Sequence, residues 1–228
     1  METQNPTTLN PASTLAIGQN RVLRNTYWLL ALSLIPTILG AALGLTLNLG
    51  TLSPGIFLIV FFVGAYGLMF AVEKTKESSM GVVLLLAFTF FMGLMLSRLL
   101  GFILPMKNGA QLIMLAMGGT SAVFVAMAAW ASTIKRDLSG MGKVLMIGLI
   151  LAIVAGVANV FLQIPALMVA LSVIVIGISS ALLLYNLNLV MRGGETNYVS
   201  ATLSIYVLIY NIFSNLLALL GIFGGDRD

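Results

Sequence analysis

The sequence predicts an all-α membrane protein of seven transmembrane helices, and three observations carry that prediction. Of 228 residues, 60% are apolar and 8% are charged, whereas soluble domains carry roughly 25% charged residues. Two stretches of 48 residues each, 25–72 and 144–191, hold no charge. The remaining charges sit mostly in short clusters between apolar runs of about 20 residues, the length of helix that crosses a hydrocarbon core ~30 Å thick. A soluble fold would leave much of this apolar surface in large patches against water, where a bilayer accepts it directly.

Residues 1–20 carry one charge, two prolines and no apolar run of signal-peptide length. They are expected to form a flexible tail ahead of a single domain, residues 21–228. Residues 25–72 as one helix would measure about 72 Å, more than twice the hydrocarbon core, so the stretch folds back. Asn48-Leu-Gly-Thr-Leu-Ser-Pro-Gly55 supplies turn residues at its middle, which gives helices at 27–47 and 56–72. The charged loop Glu73-Lys-Thr-Lys-Glu77 leads to a third helix, 80–104, ending at Pro105-Met-Lys-Asn-Gly109. A fourth spans 111–133. The basic loop Lys135-Arg-Asp-Leu-Ser-Gly-Met-Gly-Lys143 precedes residues 144–191, which by the same length argument form two helices meeting at Gln163-Ile-Pro165. The seventh, 198–223, lies between Arg192-Gly-Gly-Glu-Thr-Asn197 and Gly224-Gly-Asp-Arg-Asp228.

Cytoplasmic loops retain Lys and Arg, so the cations set the orientation. Arg21, Arg24, Lys74, Lys76, Lys135, Arg136, Lys143 and Arg192 fall on the N-terminal side, against Lys107 and Arg227 opposite. The N-terminus is therefore expected in the cytoplasm and, after an odd number of crossings, the C-terminus outside.

The chain has no cysteine and no histidine. Disulfides, thiolate or imidazole metal sites and Ser-His or Cys-His nucleophiles are thereby excluded. No cofactor is expected, and the scattered cations argue against nucleic acid. Ser139-Gly-Met-Gly-Lys-Val144 departs from a phosphate loop at both ends, with Asp137 in place of the first glycine and Val144 in place of the magnesium-binding Ser or Thr. All seven carboxylates, Glu2, Glu73, Glu77, Asp137, Glu195, Asp226 and Asp228, fall in tails, loops or helix ends. No intramembrane carboxylate pair or Ser-Lys dyad is available, so the chain is not expected to be an enzyme.

Arg98 is the one charge inside a helix, roughly 10 Å from its outer end. Its long side chain can carry the guanidinium to the headgroups, and a pore-lining role is the alternative. Ser179 and Asn186 are seven apart; Ser204, Asn211 and Asn215 follow at spacings of seven and four, so each set shares a helix face. Asn159 adds another amide. Amides in lipid need partners, so these faces are expected to point inward, either bonding between helices or lining a wet cavity. Gly40 with Gly44, Gly148 with Ala152 and Gly156, and Gly177 with Ala181 have the spacing of close helix contacts.

Several of these segments together resemble a known family. Val22-Leu-Arg-Asn-Thr-Tyr27, Ala65-Tyr-Gly-Leu-Met-Phe70, Met117-Gly-Gly-Thr120, Asn159-Val-Phe-Leu-Gln-Ile-Pro165 and Gly193-Gly-Glu-Thr-Asn-Tyr198 are similar to the bacterial YccA branch of the Bax inhibitor (TMBIM) family. The last motif continues as Ala201-Thr-Leu-Ser-Ile-Tyr-Val-Leu-Ile-Tyr-Asn-Ile-Phe213, so the resemblance runs from about residue 21 to the C-terminus. It implies six helices surrounding the last one and a location in the bacterial inner membrane. It also implies two activities: modulation of the membrane AAA+ protease FtsH, as a partner that resists degradation, or a pH-sensitive calcium leak. Leak-type members use an acidic pair as pH sensor. The matching positions here are Asn186 and Leu208, neither of which titrates near neutral pH, so a carboxylate-gated leak is not expected, while an ungated or differently gated cation channel or transporter stays open as the alternative to the protease partner.

Overall fold

The computed structural model describes residues 11–134 and 138–225, with side chains from residue 20 onward and at all but Ser139 of the later positions. Among these residues the fold is all helical: α1 (Pro11–Thr46), α2 (Pro54–Thr75), α3 (Ser79–Ile103), α4 (Gly109–Thr133), α5 (Ser139–Leu162), α6 (Pro165–Met191) and α7 (Tyr198–Phe223). Each contains a span long and apolar enough to cross a membrane. The protein is thus a seven-helix membrane protein, as its composition predicts.

Punctuation sets the boundaries. Asn48 takes a left-handed conformation, a 3-10 turn follows at Leu49–Thr51, and Pro54 opens α2. Gln163, also left-handed at φ 53°, stops α5, and Pro165 opens α6. Proline suits a first helical turn because its missing N–H has no partner there in any case.

Two expected boundaries differ. Helix α1 begins at Pro11 rather than near residue 27, so residues 11–20 of the expected tail are helical; Pro11 suits the first turn, and Ala12, Leu15, Ala16 and Gln19 are good helix formers. Residues 1–10 lie outside the described residues. Helix α5 likewise starts at Ser139, inside the expected basic loop, while Lys135, Arg136, Asp137 and the C-terminal three residues, Arg227 among them, also lie outside.

The most extensive contact joins α1 to α3. A Cβ added at Gly40 would overlap the Phe90 carbonyl, one at Gly93 the Thr37 carbonyl, and one at Gly44 the Ser97 side chain. Without a hydrophobic effect between helices in lipid, close backbone packing of this kind is what holds them together.

Helix α7 packs on α1, α2, α3, α4 and α6, whereas α5 packs substantially on α6 alone. The core runs along α7 through Val199, Ile205, Ile212 and Leu217, with Phe88, Leu183 and Leu187 from its neighbours, all fully enclosed. Polar ties supplement it. The Thr37 hydroxyl and Tyr206 phenol lie 2.8 Å apart across α1 and α7.

At one end of the bundle Asn197 joins two loops. Its Oδ1 caps α7 by accepting from Val199 and Ser200 N–H, and its Nδ2 donates to the Lys76 carbonyl (3.1 Å) and to Glu77 Oε1 (3.0 Å). Asn197→Ala removes the cap and the tie together. It is expected to cost about 2 kcal/mol, read as a lower unfolding midpoint in detergent. Nearby, Glu73 accepts from Lys76 at 3.0 Å and holds that ammonium above its usual range; so exposed a pair adds little stability. At the opposite end Asn108 Nδ2 donates to the Gly224 carbonyl, linking the α3–α4 turn to the end of α7.

Candidate functional site

Because α5 leans on α6 and stands off α7, a cleft of about 660 Å³ opens between these three helices. That volume is within the range of small-molecule sites, roughly 300–1,000 Å³. It occupies the half of the bundle that carries the 163–165 turn. Asn159 and Gln163 stand at its mouth, Asn215 is about 12 Å in by helix rise and Asn211 about 18 Å, near the middle of α7. The walls between them are apolar apart from Ser172, with Gly156 from α5 and Ala218 from α7 both in the lining.

The amides differ in how they are bonded. Asn159 Oδ1 accepts from the Ile164 N–H at 3.1 Å, which shapes the turn. Asn215 Nδ2 donates to the Asn211 carbonyl at 2.8 Å. The Asn211 carboxamide itself has no hydrogen-bond partner among the described residues. The cleft lining contains no charged side chain, and among the described residues no cluster of acidic side chains is suited to a metal. The arrangement can solvate a neutral hydrogen-bonding group; it offers no general acid, base or nucleophile with an activating partner.

Of the seven polar residues singled out by sequence, the structure brings together Asn159, Asn211 and Asn215. The other four lie elsewhere. Ser179 is fully buried, with no hydrogen-bond partner for its hydroxyl among the described residues. Ser204 is exposed on the bundle surface rather than facing inward: two turns before Asn211, its stretch of α7 is not covered on that side. Asn186 is half-buried and donates to the Leu182 carbonyl of its own helix at 2.8 Å, with no interhelical bond among the described residues. Arg98 reaches out of α3 to the α1–α2 turn, its Nη1 donating to the Leu52 carbonyl at 3.0 Å and its guanidinium 4.8 Å from the centre of the Phe57 ring. Arg98 is therefore not among the residues that line the cleft. Leu208 is buried in the apolar core, so the two positions matched to an acidic pair hold a self-bonded amide and an isobutyl group.

Sequence reasoning missed Asn188. It is buried, and its Nδ2 donates to the carbonyls of Ala131 and Ile134, each at 3.1 Å. Those carbonyls end α4 and have no partner within that helix. Nothing in Tyr185-Asn-Leu-Asn188 distinguishes the two asparagines except their positions, about 200° apart around the helix.

Comparison with known proteins gives one consistent answer. Residues 19–225 match the family described as "Inhibitor of apoptosis-promoting Bax1". The chain is 42% identical over 213 residues to the "Modulator of FtsH protease YccA" of Escherichia coli (strain K12), covering 93% of this chain and 95% of the relative. The "Inner membrane protein YccA" of E. coli O6:H1 matches to the same extent. An uncharacterized protein of Pseudomonas aeruginosa is 38% identical over 205 residues, 90% of each chain. The relatives are matched nearly end to end, through every helix and the cleft. The chain belongs to the Bax inhibitor family.

Proposed function

We propose that this protein is a non-enzymatic component of the inner membrane that engages and modulates an FtsH-type membrane protease. The observation that carries the reading is the 42% identity, over 93% of the chain, to a relative named for that role. The basic residues Arg21, Arg24, Lys74, Lys76, Lys143 and Arg192 crowd the same end of the helices, which supports a cytoplasmic N-terminus and a C-terminus on the far side. Residues 1–10 then stand in the compartment where an ATP-driven protease takes hold. Their composition, one charge, one proline and no apolar run, suits a segment that a processive protease could grip. The tightly packed α1–α3 pair immediately behind it opposes extraction, so the protease is occupied without rapid destruction of its partner.

Deleting residues 2–10 tests this reading. Co-purification with the protease is expected to fall and the cellular lifetime of the protein to lengthen; unchanged values for both would sink it. The calcium leak that the resemblance also implies gains nothing from this site, because the cleft is lined without a carboxylate and the two sensor positions carry none.

A further inference from the structure

We propose that α5 is a movable wall: it turns against α6 and closes onto α7, so that the cleft is one of two positions of this helix. Three independent observations meet at this place. First, α5 is held substantially by α6 alone, and the left-handed Gln163 between them gives a natural pivot.

Second, Gly148, Ala152 and Gly156 form a small-residue face at successive turns of α5. Ala152 and Gly156 line the cleft. A Cβ at Gly156 would meet nothing within 4 Å, and one at Gly148 meets only the Ile178 Cδ1, at 3.2 Å. Such a face lets another backbone come close in lipid, yet no backbone atom comes within 4 Å of a Cβ placed at Gly148 or Gly156. Third, α7 contributes Asn211 and Asn215 to the opposing side of the cleft, and among the described residues neither the Asn211 carboxamide nor the Asn215 Oδ1 has a hydrogen-bond partner. Unpaired amides at membrane depth are costly.

Closure answers both deficits at once. Gly156 is six residues from the end of α5 and Ala218 five from the end of α7, so the two are level across the gap. As α5 approaches, the backbone carbonyls of its stretch between Gly148 and Gly156, which is level with Asn211 and Asn215 by helix rise, come within reach of the NH₂ groups of those asparagines, and the apolar walls bury each other. The open position exposes those amides to water or lipid from the side of the 163–165 turn; the closed position seals them.

The chain has no cysteine, so introduced thiols report without interference. Gly156→Cys with Ala218→Cys, oxidised in native membranes, is expected to form a disulfide, which requires Cα atoms within about 7 Å. Val160→Cys with Ile222→Cys, at the mouth, provides a second pair should the first fail to fold. Adding Asn211→Leu and Asn215→Leu is expected to slow cross-linking about tenfold by removing the hydrogen bonds that favour closure. If neither pair cross-links while each single cysteine reacts with a small thiol reagent, the wall is fixed open, a wedged phospholipid included, and the proposal is overturned. A cross-linking rate indifferent to the two asparagines overturns the role given to them.

Discussion

Gly93→Val is expected to leave little folded protein. The Cβ of any residue at this position would overlap the Thr37 carbonyl oxygen, and a backbone atom cannot rotate away as a side chain can. α1 and α3 must therefore separate along their most extensive contact. Overpacking of a core costs about 1–3 kcal/mol where side chains yield; here the obstacle is backbone, and about 3 kcal/mol or more is expected. Even Gly93→Ala should destabilise, although glycine to alanine in an unobstructed helix stabilises by roughly 0.5–1 kcal/mol. Gly177→Ala supplies the contrast, since its added Cβ meets nothing within 4 Å. Thermal unfolding in detergent decides: opposite signs for the two alanine variants are expected, and matching midpoints would refute the account of the seam.

The second large effect belongs to Asn188→Leu. This substitution removes two hydrogen bonds and leaves the Ala131 and Ile134 carbonyls at the end of α4 without their donor. A loss of about 2 kcal/mol is expected, since an abandoned buried acceptor costs roughly 1–3 kcal/mol and hydrogen bonds between membrane helices are modest. Asn186→Leu breaks only a bond within its own helix and is expected to shift the midpoint by less than about 1 kcal/mol. Equal losses for the two would show that the α4–α6 tie carries no weight.

The contrast between these asparagines explains how far the sequence could be read. Helix number and most boundaries were legible because each depends on something local: a run of about twenty apolar residues, a proline at a first turn, an asparagine in a left-handed bend. Which face of a helix meets which neighbour is not local. Asn186 and Asn188 are two positions apart, and only the packing of α4 on α6 decides that the second is enclosed. The same holds for small residues. Gly40 and Gly44 do meet α3, but Gly156 and Gly177, at equally suggestive spacing, face open space. The spacing states what a helix could accept, while the partner is settled by the whole arrangement. The cleft was half legible: Asn159, Asn211 and Asn215 were picked out as polar, but Ser204 was grouped with them by a period that says nothing of where the neighbouring helix stops.

The α1–α3 seam has a mechanical meaning. With α2 crossing back between them in sequence, α1 and α3 run in the same direction, so a pull on the first residues of α1 drags that helix lengthwise past its neighbour. Such a load is shared by the Gly40, Gly44 and Gly93 contacts together, and they must yield at once instead of peeling apart one by one. A pull from that end therefore meets several backbone contacts in parallel.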